Sequence, residues 1–157
     1  MKILGIDPGI AIIGVGLIDY KNKRVSLCSY DCLRTKKGID TAQRLADLFD
    51  KLSKLIKKSR PDLIAVEEIF FFKNLKTAID VSQARGVILL AAAKQKIKTC
   101  EYTPLQVKQA LTGYGRADKK QIQQMVKNIL ALKEIPEPDD AADALAIAIC
   151  CAHSMKE

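Results

Sequence analysis

The chain has 157 residues, near the usual size of one globular domain, so a single domain over residues 1–157 is expected. Apolar residues make up 48% and charged residues 28%, a balance that excludes a disordered or fibrous protein. Lysine and arginine number 26 against 18 acidic residues, and the net charge of +8 predicts attraction to polyanions such as nucleic acid or an anionic membrane surface.

Nothing in the sequence indicates a membrane span or an export signal. The longest apolar run, Ala144 to Ala152, falls well short of the roughly 18 residues that a spanning helix needs. The residues before Asp7 are too few for the apolar part of a signal peptide, so a cytoplasmic location is expected. The five cysteines form no CxxC pair, which argues against a disulfide framework or a zinc site and predicts reduced thiols in the core.

Strand patterns dominate the first part of the chain. Stretches rich in Ile, Val and Leu at 2–7, 12–18 and 24–33 are separated by short turns, which predicts three consecutive strands in an antiparallel meander. A helical spacing of apolar residues then predicts an amphipathic helix over 40–58, followed by a buried strand at 62–67.

Helices alternate with short breaks in the rest of the chain. A helix buried along much of its length is predicted over 74–96, followed by a short strand around 99–102. Three more helices are expected: Pro104 to about Leu111, a segment containing Ile122 to Leu130, and about Asp140 to Ala152 with Asp139 as N-cap. This order of elements predicts an α/β fold with a mixed five-stranded sheet flanked by helices.

Four acidic residues occur in apolar surroundings. Asp7 ends the first strand beside a turn at the edge of the sheet, and Glu67 ends the strand at 62–67 in the same way. Asp140 and Asp143 lie three residues apart in an alanine-rich helix, so their carboxylates share one face, and the alanines allow close approach to a sheet. Because charges are rarely buried without a partner or a metal, these four residues are candidates for a functional cluster.

Convergence of these carboxylates would call for a hard divalent cation, and Mg²⁺ is the ion expected. Two such ions, about 4 Å apart, stabilise the attacking water oxygen and the leaving oxygen during in-line hydrolysis of a phosphodiester bond. A lone Asp at a strand end is more often a turn residue or a helix cap. That explanation would have to hold separately for each element, which makes it less favourable for all four acids together. The basic surface favours a polyanionic substrate held over the cluster.

Five segments of the chain resemble, in order and in spacing, the RuvC family of Holliday-junction resolvases. They are ILGIDPG, IAVEEIFFFKN, QARGVILLAA, QVKQALTGYGRADKKQIQQMV and DDAADALAIAI, and they extend from residue 3 to about residue 149. The segment GIDPG alone is also similar to the phosphate-binding opening of actin-like ATPases and sugar kinases. The closing segment, at this spacing, makes the resemblance specific.

The resemblance implies a ribonuclease H-like nuclease domain that acts as a homodimer. It implies paired cleavage of four-way DNA junctions during recombination and repair, dependence on two Mg²⁺ ions per subunit with Mn²⁺ able to substitute, and partnership with a RuvA-RuvB branch-migration complex. Carried over residue by residue, the family's catalytic and metal-binding acids fall on Asp7, Glu67, Asp140 and Asp143.

The residues alone leave two of these assignments open. Glu68 follows Glu67 and would point to the opposite face of a continuing strand, and Asp139 could share a helix face with Asp143. The resemblance favours Glu67 and Asp140, and it leaves Glu68 and Asp139 as groups that could support the ligands.

Basic residues form several clusters, of which Lys51 to Lys58 is explained as the solvated side of the amphipathic helix. Lys108 and Lys119 lie in segments whose similarity to the family implies a role in junction binding. Arg116, Lys119 and Lys120 follow a glycine-bounded loop and open a helix, a place suited to phosphate. These four residues are the expected basic DNA contacts.

Three phenylalanines, Phe70, Phe71 and Phe72, directly follow the strand that ends at Glu67. Consecutive residues of a strand or loop point in different directions, so at least one ring is expected at the surface. An exposed ring there could stack on an unpaired base or anchor an interface. Phe70 matches the family's junction-stacking phenylalanine.

Two other functions compete with a metal-dependent, structure-selective endonuclease. A noncatalytic junction-binding module would leave four carboxylates facing DNA phosphate with no benefit. An actin-like ATPase binds its nucleotide between two lobes, and 157 residues leave no room for the second lobe. The sequence therefore favours the nuclease.

Overall fold

The computed structural model describes residues 1–68 and 75–155, with side chains over 1–68 and 77–155. The strands of these regions are β1 (Lys2–Asp7), β2 (Ile12–Lys21), β3 (Arg24–Arg34), β4 (Leu63–Glu67) and β5 (Lys98–Tyr102). Their helices are α1 (Thr41–Ser59), α2 (Leu75–Lys94), α3 (Pro104–Thr112), α4 (Lys119–Ile129) and α5 (Asp139–Ser154).

The strands form one mixed sheet in the order β3-β2-β1-β4-β5. The meander β1-β2-β3 is antiparallel, whereas β4 pairs in parallel with both β1 and β5. Ile6 lies beside Val66 in the register of β1 and β4, so the next residues, Asp7 and Glu67, end neighbouring strands at the same edge of the sheet. The predicted α/β fold with a mixed five-stranded sheet is confirmed.

Helices cover both faces of the sheet because successive strand residues point to opposite sides. Leu4 and Ile64 pack in the core that contains α1 and α2. Ile3 and Ala65 pack in the core that contains α3, α4 and α5. Continuing this alternation places the ends of β1 and β4 on the face covered by α5.

Helix α5 contacts the sheet through its backbone. A Cβ atom at Gly5 would lie 2.0 Å from the carbonyl oxygen of Ala144, and one at Gly14 would lie 1.8 Å from that of Asp140. A Cβ at Gly16 would lie 2.7 Å from the side chain of Leu145. These three glycines, which we call the glycine track, therefore allow α5 to lie directly on β1 and β2.

Three details of the structure differ from the sequence predictions. Pro138 is at the N-cap position of α5, so the prediction that Asp139 caps this helix is wrong: Asp139 is its first residue. Helix α2 is less buried than predicted, because Ile79 and Leu90 are 59% and 49% exposed. The cysteines are free, as expected, but Cys28 is exposed rather than part of the core.

Within the described parts of the chain, no helix has the length and apolar character needed to cross a membrane.

The glycine track predicts a large loss of stability for Gly5→Ala. The added methyl group would force α5 away from β1, and overpacking of this kind costs about 3 kcal/mol. Urea unfolding measures the change. The control variant Ser29→Ala, on exposed strand β3, should stay within about 0.5 kcal/mol of the wild type. A stability of Gly5→Ala equal to that of the control would contradict the tight contact.

Candidate active site

Three acidic side chains line one cleft where β1 and β4 end. Asp7 comes from β1, Glu67 from β4 and Asp143 from the second turn of α5, and all three line one cleft of about 220 Å³. Lys108 of α3 and Lys119 of α4 line the same cleft. The structure thus brings together five of the residues that the sequence singles out.

Asp140 occupies a neighbouring position rather than the cleft itself. It is half-buried and lines a surface depression together with Arg34 and Asp139. Its charge still acts on the cleft, because it contributes to raising the pKa of Asp7. Of the four predicted acids, three line the cleft and the fourth acts from beside it.

Burial and mutual repulsion set the electrostatics of the cleft. Burial, followed by the charges of Glu67, Asp143 and Asp140, raises the pKa of Asp7 from 3.8 to about 8. Burial, followed by the charge of Asp143, raises the pKa of Glu67 to about 7. The pKa of Asp143 is also raised, chiefly by burial. The cleft therefore concentrates negative charge that its surroundings do not fully compensate.

Lys119 forms ion pairs with two acidic residues of α5. Its Nζ atom is 3.0 Å from Oδ2 of Asp139 and 3.2 Å from Oδ2 of Asp143. Asp139 also accepts a hydrogen bond of 2.9 Å from Nε2 of Gln123. Sequence reasoning missed this contact, although the i, i+4 spacing of Asp139 and Asp143 indicates that both can bind one side chain.

The donor set of the cleft suits a hard divalent cation, because carboxylate oxygens are the ligands that Mg²⁺ prefers. A cation would also relieve the repulsion that raises the pKa values of Asp7 and Glu67. As the side chains stand, however, no three His, Cys, Asp or Glu residues among those described are grouped closely enough to hold a metal ion. Asp143 is instead engaged by Lys119. The residues fit a cation by chemistry, and their grouping around one requires side-chain movement.

The alternatives left open by the sequence occupy different surroundings. Glu68 is exposed, and its backbone N–H donates a hydrogen bond to the carbonyl of Tyr102. Glu67, by contrast, lines the cleft. Asp139 is 62% exposed at the rim, where it binds Lys119.

The remaining predicted DNA contacts lie around the cleft or outside the described residues. Arg116 and Lys120 are exposed next to the start of α4, where Asp118 caps the helix. Lys120 lines a shallow groove with Tyr114, an exposed aromatic residue that the sequence reasoning did not single out. Phe70, like Phe71 and Phe72, lies outside the described residues.

A sheet of this order, covered by helices on both faces and with acidic residues at the ends of adjacent strands, defines a ribonuclease H-like protein. A family model described as crossover junction endodeoxyribonuclease RuvC matches residues 3–151. Relatives with that name are 54% identical in Caldanaerobacter subterraneus, covering 98% of this chain and 93% of the relative, and 58% identical in Desulfitobacterium hafniense, covering 99% and 94%. The chain belongs to the RuvC family.

Solved structures agree with this assignment. Thermus thermophilus RuvC superposes with a TM-score of 0.90 at 36% identity, covering 98% of this chain and 94% of that one. The same protein in complex with a Holliday junction substrate gives a TM-score of 0.88 at 34% identity, with equal coverage. A yeast mitochondrial Holliday junction resolvase, 16% identical over 96% of this chain and 78% of its own, has a TM-score of 0.68 and shares the fold.

The raised pKa of Asp7 predicts that Asp7→Asn stabilises the metal-free protein. The folded protein keeps the Asp7 proton up to about pH 8, whereas the unfolded chain releases it near pH 3.8, so Asp7 makes stability fall as pH rises between these values. The gain from the variant should therefore be small at pH 5 and on the order of 1–3 kcal/mol at pH 8.

Urea unfolding in the presence of a chelator at the two pH values measures this gain. The control variant Asp50→Asn removes an exposed charge on α1 and should change stability little at either pH. Equal effects of Asp7→Asn at pH 5 and pH 8 would contradict the raised pKa of Asp7.

Proposed function

We propose that the protein is a structure-selective endonuclease that resolves four-way DNA junctions by metal-dependent hydrolysis of phosphodiester bonds. The observation that carries this proposal is the cleft in which Asp7, Glu67 and Asp143 lie beside Lys108 and Lys119. Membership in the RuvC family supports it, as does the relative from Thermus thermophilus whose structure contains a Holliday junction substrate.

Asp7, Glu67, Asp140 and Asp143 are the proposed metal-binding and catalytic residues. Bound Mg²⁺, two ions per subunit with Mn²⁺ able to substitute, would activate the attacking water and stabilise the leaving oxygen. Asp7 lies at the end of the central strand, and three other carboxylates act on its pKa. Asp7 is therefore central to the proposed metal-binding set.

Four basic residues in the cleft or near the start of α4 are the proposed DNA contacts. Lys108 and Lys119 line the cleft, and Arg116 and Lys120 are exposed next to the start of α4. Phe70, which follows β4 in the sequence, is the proposed aromatic contact to an unpaired base at the crossover.

A junction-binding module without catalysis is disfavoured by the electrostatics of the cleft. Carboxylates whose pKa values are raised by burial and repulsion destabilise the folded protein near neutral pH. A cation that participates in hydrolysis accounts for their placement, whereas DNA binding alone would favour their absence.

We further propose one nuclease domain over residues 1–157, a cytoplasmic location and a RuvA-RuvB branch-migration complex as partner.

The nuclease proposal predicts that Asp7→Asn abolishes cleavage and preserves binding. The variant removes a ligand charge at nearly constant volume and weakens repulsion of DNA phosphate. With Mg²⁺ and synthetic DNA, the wild type should cut a four-way junction and leave linear duplex intact. Asp7→Asn should lose at least about a hundredfold in rate and bind the junction as tightly or more tightly.

The exposed-charge variant Asp50→Asn serves as the control and should cut the junction at the wild-type rate. Cleavage by Asp7→Asn at a near wild-type rate would refute its assignment as a metal ligand. Failure of the wild type to cut the junction would refute the nuclease proposal itself.

Resolution requires two nicks, and one cleft supplies one, so we propose that the active species is a two-fold dimer. Helix α2 offers a surface for it. Five exposed residues recur at the spacing of a helix-packing stripe: Ile79, Gln83, Gly86, Leu90 and Ala93.

The stripe is self-complementary about its centre. In an antiparallel pair of α2 helices related by a two-fold axis at Gly86, Ile79 of one copy faces Ala93 of the other. A Cβ atom at Gly86 would meet no described atom within 4 Å, so the glycine leaves open space in which a second helix can approach. The two exposed aliphatic residues, Ile79 and Leu90, then become buried on either side of the axis.

This interface predicts that Leu90→Asp converts the dimer to a monomer, because the variant places a charge in an apolar contact. Sedimentation velocity at micromolar concentration should show the dimer for the wild type and the monomer for the variant. Leu105→Asp makes the same exchange at an exposed leucine of α3 and should remain dimeric. A dimer that survives Leu90→Asp would exclude the α2 interface.

A further inference from the structure

Lys119 forms ion pairs with two acids that have different surroundings. Asp143 lines the cleft and is 34% exposed, whereas Asp139 lies one helical turn earlier at the rim and is 62% exposed. Only the first of these carboxylates belongs to the proposed metal-binding set. The ammonium group is therefore shared between the cleft and its rim.

Both carboxylate oxygens of Asp139 have a partner on α4. One oxygen binds Lys119, and the other accepts the hydrogen bond from Nε2 of Gln123, a residue of α4. Lys119 and Gln123 lie four residues apart, on the same side of α4. The side chain of Asp139 thus joins the first turn of α5 to the first turns of α4.

A divalent cation and an ammonium group compete for the Asp143 carboxylate. The Nζ atom of Lys119, 3.2 Å from Oδ2 of Asp143, offsets the negative charge that would attract the divalent cation, and the two cations would repel each other. Cation binding therefore requires Lys119 to move away from Asp143. A second carboxylate within reach makes that displacement short.

We propose that Asp139 is a positioning residue that retains Lys119 at the rim when a divalent cation binds to Asp143. This inference rests on the proposed metal site. Asp139 withdraws the ammonium group from the cleft and keeps it beside the place where DNA phosphate arrives. Without Asp139, Lys119 remains on Asp143 and opposes the cation.

Affinity for Mn²⁺, measured by calorimetry without DNA, tests this role independently of activity. Asp139→Asn should weaken Mn²⁺ binding about fivefold when Lys119 is present, since Lys119 is then held by Asp143 alone. In a Lys119→Gln background, the same substitution should change the affinity less than about twofold. Lys119→Gln alone should strengthen Mn²⁺ binding.

Glu137→Gln is the matched control, because Glu137 is an exposed acid in the same surface depression as Asp139. Glu137→Gln should change the Mn²⁺ affinity slightly, and by the same factor with Lys119 and in the Lys119→Gln background. Equal losses for Asp139→Asn with and without Lys119 would show that Asp139 acts only by long-range charge, and would overturn the proposal. If the wild type bound no Mn²⁺, with or without an uncleavable junction, the metal site and this inference would both fall.

Discussion

The direct contact between the backbone of α5 and the central strands is the constraint on which the site depends. Gly5 and Gly14 leave no room for a side chain beneath this helix, so its position is fixed relative to β1 and β2. Asp140 and Asp143, in its first turns, are consequently held near Asp7. A helix that rested on ordinary side chains would sit farther from the sheet and would separate these acids from the end of β1.

The cleft combines buried carboxylates, repulsion between them and the positive charge of Lys119. Desolvation alone would favour protonated acids, and the neighbouring carboxylates strengthen that preference at Asp7. Lys119 opposes it at Asp143, where its charge lowers a pKa that burial raises. The cleft carboxylates therefore lie close together, and Lys119 offsets only part of their negative charge. This arrangement favours a bound cation over a fully paired network of ion pairs.

Much of this arrangement could be predicted from the sequence, because strand periodicity and the family motifs can both be read from short segments. The alternation of β1 and β4 places Asp7 and Glu67 on one face, and the resemblance points to Asp140 and Asp143. The position of Lys119 between Asp139 and Asp143 could not be predicted, since it depends on how α4 packs against α5. The exposure of Leu90 was missed for a similar reason: an apolar helix sequence does not show which side lacks a neighbour.

The order of the elements along the chain has a consequence for synthesis. The parts of the cleft come from the beginning, the middle and the end of the polypeptide, and α5, which supplies the last acids, also fills the core against β1, β2 and α3. A growing chain on the ribosome can therefore complete the core that contains α1 and α2 early, whereas the second core and the cleft are not complete until α5 emerges. Chains truncated before α5 lack Asp140 and Asp143, so incomplete translation products lack two of the four proposed metal-binding acids.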